Sequence, residues 1–135
     1  MNNSQLGEIF AKLGTSLEGE AGYWTFEFEG VFMVCVTDEQ ADRMRIMTPI
    51  ASLDQVTSEQ MTECMAANFD RALDARYCAD AENLWGAFIH PLSELSGKLV
   101  FSALHQVAGV RNSFGTSYSS GIFQFGGGQT EGLDS

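Results

Sequence analysis

Residues 24–36 read Trp24-Thr25-Phe26-Glu27-Phe28-Glu29-Gly30-Val31-Phe32-Met33-Val34-Cys35-Val36. Trp24, Phe26 and Phe28 alternate with Thr25, Glu27 and Glu29, the period-two pattern of a strand with one buried face. Glu29-Gly30 marks a tight turn, because glycine takes the positive φ that hairpin turns require. Val31 to Val36 is apolar on both faces, as expected of a central strand. Two adjacent antiparallel strands therefore lie at the heart of the expected fold.

Upstream of this hairpin, Leu6, Ile9, Phe10 and Leu13 recur at helical spacing after a polar opening that includes Ser4, and Gly14 supplies a stop. A Gly- and Glu-containing connection joins that helix to Trp24. Downstream, Thr37 to Asp42 is a polar turn and Arg43 to Ile50 a third strand. Pro49 cannot donate to a ladder, so this strand is expected to end near Thr48.

Thr57 and Gln60 have the spacing of a capping box. The helix they open carries Met61, Met65, Phe69 and Leu73 on one face, with Cys64 and Asn68 beside them, and is expected to run to about Leu73. Arg76 to Ala79 and Leu84 to Ile89, joined by the turn Asp80 to Asn83, form a second hairpin that Pro91 ends. A third helix begins near Ser96. Leu99, Ala103, Val107, Val110 and Phe114 line its buried face, Val100, Leu104 and Ala108 widen the stripe, and Gly115 closes it.

The resulting order, α-β-β-β-α-β-β-α, describes an α+β domain over residues 1–115: helix, three-stranded antiparallel meander, helix, two-stranded hairpin, helix. Residues 116–135 are rich in Gly, Ser and Thr, with a Gly126-Gly127-Gly128 run, and read as a flexible tail. Ile122, Phe123 and Phe125 are the exception, since alternating apolar residues suit a short added edge strand.

A chain of 135 residues buries about two thirds of its unfolded surface without disulfides or metal. Its 44% hydrophobic content, with ten Phe and two Trp, is that of a globular protein. Eighteen acidic against seven basic residues give a net charge of -11, which repels phosphate backbones and anionic membranes. The same charge steers the protein toward basic partner segments within about 8 Å at physiological salt. Met1 to Gly14 lacks the pattern of a secretory signal, and the longest apolar run, Val31 to Val36, is far short of the roughly 20 residues that span a bilayer. The expected location is the cytoplasm. There the odd set Cys35, Cys64 and Cys78, with no CxxC spacing, reads as buried free thiols.

The candidates for chemistry are few. His90 and His105 are the only imidazoles, and neither accompanies a nucleophile elbow or a cysteine signature. Asp38, Glu39 and Asp42 share a loop but lack EF-hand spacing, so a solvated turn is the simpler reading. Gly126 to Gly128 is not followed by the helix that a phosphate cradle needs. Arg43 and Arg45 share a strand face with Met47, and Glu27 and Glu29 share another. If the faces coincide, ion pairs worth roughly 0.2 to 1 kcal/mol each form across the sheet; otherwise the arginines are a basic spot able to hold a partner's carboxylate. The apolar faces also outnumber those that a five-stranded sheet with one covered side consumes, which calls for a second copy or a partner segment.

Three runs carry a resemblance: Arg43-Met44-Arg45-Ile46-Met47-Thr48-Pro49-Ile50, Ala67-Asn68-Phe69-Asp70-Arg71-Ala72-Leu73-Asp74-Ala75-Arg76-Tyr77, and Trp85-Gly86-Ala87-Phe88-Ile89-His90-Pro91-Leu92. They are similar to those of the YbjN-like proteins, small bacterial domains related in fold to the acidic chaperones of type III secretion. The resemblance spans roughly residues 3 to 115. It implies a homodimer with no cofactor, no metal and no catalytic residues. In the secretion chaperones the second helix supplies much of the dimer contact, and effector segments wrap over apolar patches of the sheet. Carried onto this chain, the dimer face draws on Met61, Met65, Phe69 and Tyr77; the alternative for each is a place in the subunit core. The expected function is a non-enzymatic module that captures an apolar or partly basic segment of another protein. The alternatives are a YbjN-like regulatory module sensing a small ligand and, third, an enzyme built on His90 or His105.

Overall fold

A computed structural model describes residues 1–121 of the chain. Its elements are α1 (Asn3–Leu13), β1 (Thr15–Glu20), β2 (Tyr23–Phe28), β3 (Val31–Asp38), β4 (Arg43–Ser52), α2 (Ser58–Asp70), β5 (Arg76–Ala79), β6 (Asn83–His90) and α3 (Gly97–Asn112). The six strands form one antiparallel sheet in the order β1-β2-β3-β4-β6-β5. The α+β class and the expected order hold, with one strand added at the front.

That strand, β1, has five of six residues exposed, with only Leu17 partly covered. Nothing in its local sequence announces a strand; pairing with β2 makes it one, with a bulge between Thr15 and Glu18. The β2–β3 turn is as read, with Glu29 and Gly30 at φ 50 and 79, the double positive φ of a two-residue hairpin. Asn2 caps α1, accepting from the Gln5 amide at 2.9 Å. At the start of α2 both bonds of the Thr57–Gln60 box are formed, at 2.9 and 3.1 Å.

Trp24, Phe26 and Phe28 point to the covered face of the sheet together with Met33, Cys35, Met44, Ile46 and Phe88. Phe10 of α1 stacks on Phe26 at 4.5 Å and meets Trp24 edge-on at 5.6 Å. Val100, Leu104, Val107 and Val110 of α3 are fully buried against the same face. Gly86 permits that approach: a Cβ there would lie 2.5 Å from Cγ2 of Val110.

Three expectations about boundaries are corrected. The strand containing Pro49 does not stop at Thr48 but continues to Ser52. Its pairing with β3 ends at Val34 and Met47, so Pro49 lies where β4 is paired only with β6, beside a register shift between Pro49 and Ala51. Proline is tolerated at such a one-sided, bulged position. The second helix ends at Asp70 rather than Leu73. The tail does not begin at 116, because the chain turns back after α3. There Tyr118 and Ser120 are buried, Ser113 Oγ bonds both the amide and the carbonyl of Ser119 at 2.8 Å, and Ser120 Oγ accepts the Leu73 amide. Ile122, Phe123, Phe125 and the run Gly126 to Gly128 lie outside the described residues.

Candidate functional site

The site follows from a mismatch between strand chemistry and helix placement. β3 and β6 carry apolar side chains on both faces, a composition suited to a strand covered on both sides. Yet α1 and α3 pack on one face only, that of Phe26, Ile46 and Phe88. Among the described residues, no element packs on the opposite face. The register places Tyr23, Thr25 and Glu27 of β2 on it, then Phe32, Val34 and Val36 of β3, Arg43, Arg45 and Met47 of β4, and Trp85, Ala87 and Ile89 of β6. Tyr23 is 55% exposed, Phe32 47% and Ile89 52%. Val34 and Ala87 are buried but belong to no part of the core cluster.

Charge is graded across this face. Glu18, Glu20 and Glu27 sit on β1 and β2, the apolar band runs through the middle, and Arg43 and Arg45 rise from β4. The expected ion pairs between Glu27 or Glu29 and the arginines do not form among the described residues. Glu27 is on the same face as Arg45, but β3 separates their strands, and Glu29 sits in the hairpin turn 3.8 Å from Nδ1 of His105. No described carboxylate lies within 4 Å of the Arg43 or Arg45 guanidinium.

Two shallow hollows flank Arg45 and Ile89, which face each other in register. One, of about 340 Å³, is lined by Met47, Cys78, Asp80, Trp85 and Ala87. The other, of about 360 Å³, is lined by Val36, Thr37, Asp38 and Arg43. Arg45 and Ile89 form the ridge between them. The Asp80 carboxylate is engaged by the amides of Glu82 and Asn83 at 2.8 and 2.7 Å and by Trp85 Nε1 at 3.1 Å, and these bonds hold it below the ordinary carboxylate range.

A second apolar surface lies on α2. Met65 is 52% exposed and Phe69 86%, and Met61 is half-buried, while Cys64 and Ala67 face inward. The helix is therefore turned so that small residues meet the sheet and large ones meet solvent. Asn68 fixes that rotation: its side-chain amide donates to the Tyr77 carbonyl and accepts the Tyr77 amide, both at 2.9 Å, pairing with the outer edge of β5.

Tyr77, expected beside Met65 and Phe69, takes the alternative place in the core. It is 2% exposed, its ring lies 6.4 Å from Phe114 and 6.1 Å from Tyr118, and its hydroxyl donates to the Val110 carbonyl at 2.7 Å. Val110 lies in the last turn of α3, where carbonyls lack intrahelical partners, so the hydroxyl caps the helix. Burial pushes the phenol up to about 12.

The candidates for chemistry remain apart. His90 stacks on Phe88, and its Nδ1 lies 2.9 Å from the Pro91 carbonyl. His105 lies edge-on to Phe28 and Phe101. Neither ring hydrogen-bonds a thiol or hydroxyl among the described residues. Burial raises all three thiols, Cys64 to about 11 and Cys35 further, which opposes thiolate formation. Asp42 is tied to Ser93, accepting from its amide at 2.8 Å and its hydroxyl at 2.6 Å. Asp38 accepts the Ala41 amide and Glu39 accepts from Asn3. Among the described residues no three His, Cys, Asp or Glu side chains are placed to hold a metal ion, and no helix is long and apolar enough to cross a membrane.

No family model and no curated protein matches the chain. Solved structures do. One chain of the structure described as the HopA1–SchA chaperone–effector complex is similar at 8% identity and a TM-score of 0.63, over 82% of this chain and 90% of that one. A chain of the ExsC–ExsE complex is similar at 13% identity and a TM-score of 0.57, over 80% of this chain and 90% of that one. Identities this low carry architecture and nothing finer. The chain has the secretion-chaperone-like α+β fold.

Proposed function

We propose that this chain is a non-enzymatic binding module that holds an extended segment of a partner protein against the open face of its sheet. The observation that carries the reading is a band on which Phe32 and Ile89 are exposed and Val36, Met47 and Trp85 half-buried, with no described element packed over it, on strands whose sequence suits cover on both sides. Burying one large apolar side chain is worth about 1.5 to 3 kcal/mol, so an occupant that covers three of them is held firmly. The fold shared with chains of chaperone–effector complexes supports the same reading. The acidic surface steers the module toward segments with basic residues.

The module acts as a homodimer joined through Met61, Met65 and Phe69 of α2. This assignment leaves the sheet face of each subunit free for the partner, because α2 packs beside β5 on the other side of the protein.

The test is affinity capture from the source cell with paired variants. Phe32→Glu and Ile89→Glu are expected to abolish capture of a polypeptide that the unaltered chain retains, while Phe101→Glu, on the exposed side of α3, retains it. Hydrogen exchange of the recovered complex should show new protection in β3, β4 and β6. Equal capture by all variants refutes the reading.

A further inference from the structure

Resting on the docking reading above, we propose that the bound segment carries a carboxylate between two apolar residues, and that Arg45 receives it.

Arg45 stands in an unusual place for this chain. Of seven cationic side chains on a protein of net charge -11, it is the one opposite both Val36 and Ile89 in register, so its guanidinium rises from an apolar floor. It makes no ion pair among the described residues. The nearby carboxylates are turned to their own loops: Asp80 takes three N–H donors, and Asp38 takes the Ala41 amide. A planar guanidinium with its donors unclaimed matches a carboxylate in a two-point arrangement.

The hollows set the pattern around that carboxylate. An extended segment places every second side chain on the same face, roughly 6.6 to 6.8 Å apart. With the acid over the Arg45–Ile89 ridge, the residues two before and two after it descend toward the hollow of Met47 and Trp85 and the hollow of Val36. The segment therefore reads apolar-x-acid-x-apolar. Glu18, Glu20 and Glu27 at the far side of the face favour a Lys or Arg at the end of the segment that reaches β1 and β2. One carboxylate at a fixed position, in an otherwise neutral or basic segment, is also what the protein's own negative field permits.

The experiment is selection of random dodecapeptides displayed on phage against the full chain and against Arg45→Gln and Arg45→Glu. The unaltered chain is expected to enrich apolar-x-acid-x-apolar peptides. Arg45→Gln retains the apolar pattern and loses the acid preference, and Arg45→Glu replaces the acid by Lys or Arg. A selected peptide synthesised alone should bind Arg45→Gln about fivefold more weakly by fluorescence anisotropy at low salt, the equivalent of about 1 kcal/mol at 1.4 kcal/mol per tenfold. Apolar peptides with no acid preference, or an acid preference that survives Arg45→Gln, overturn this proposal and leave the docking reading intact. No enriched peptide, or binding indifferent to Phe32→Glu and Ile89→Glu, overturns both. A chain dimer in sedimentation that Arg45→Glu dissociates makes a second copy the occupant and also overturns the proposal.

Discussion

Tyr77→Phe separates the two places that the sequence allows for this residue. The substitution keeps the ring between Phe114 and Tyr118 and removes only the hydroxyl that donates to the Val110 carbonyl at 2.7 Å. That carbonyl lies in the last turn of α3 beneath a side chain only 2% exposed, so water cannot easily replace the lost donor. Leaving a buried acceptor unpaired costs about 1 to 3 kcal/mol. For a chain of this length each kcal/mol moves the midpoint by roughly 3 to 5 °C, so a fall of roughly 3 to 15 °C is expected by calorimetry. The pH dependence adds a second signature. The folded phenol titrates near 12, above its ordinary 10, so the stability it confers is complete below pH 10 and is lost as pH rises toward 12. The variant should therefore lose less stability between pH 10 and 12 than the unaltered chain. If instead the midpoint and alkaline limb are unchanged while the protein's association state shifts, Tyr77 is an interface residue and the core assignment fails.

Gly86→Ala should destabilise by about 1 to 3 kcal/mol, since its Cβ would meet Val110 Cγ2 at 2.5 Å, and Val110→Ala should relieve part of that cost; strictly additive chemical-denaturation energies would disprove the clash. Asp42→Asn keeps a residue that tolerates the local φ of 53 while removing the charge that Ser93 holds. Because these bonds depress the folded carboxyl below 3.8, its contribution is present above about pH 4 and lost as pH falls through the folded value, so urea midpoints of variant and unaltered chain should converge as the solution is acidified. Phe69→Glu, at a side chain 86% exposed, should leave the melting profile of dilute protein unchanged and convert a dimer to a monomer in sedimentation. A dimer that survives the substitution removes α2 from the interface.

The elements with strong local signals were legible in the sequence. β2 alternates cleanly, Glu29-Gly30 fixes its turn, and Thr57 with Gln60 marks where α2 starts, because each is decided by a few neighbouring residues. β1 was not legible, since its Thr, Ser, Gly and Glu gain strand character only from the ladder with β2. The rotation of α2 was left open by the sequence, where Met61, Met65 and Phe69 suit either a dimer face or the core. The close bond of Asn68 to the β5 backbone brings Cys64 and Ala67 to the sheet and leaves Met65 and Phe69 exposed. A polar residue beside small ones within an apolar pattern was the available clue. The open face was half visible: Val31 to Val36 and Leu84 to Ile89 are apolar on both sides, which suits two covers, and the three helices gather on one side, so that among the described residues the other has none.

The two rims of the sheet have a consequence for how the protein avoids edge-to-edge growth in a crowded solution. A bare strand border is a template on which other chains stack into fibres. Here β1 is kinked by its bulge and by Ser16 and Gly19 at positive φ, and bears Glu18 and Glu20. At the opposite border β5 is four residues long, and Asn68 occupies its backbone at Tyr77. With both borders closed to lateral growth, the apolar surface left among the described residues lies on the broad side of the sheet and on α2, where association ends with one occupant instead of propagating as a ladder.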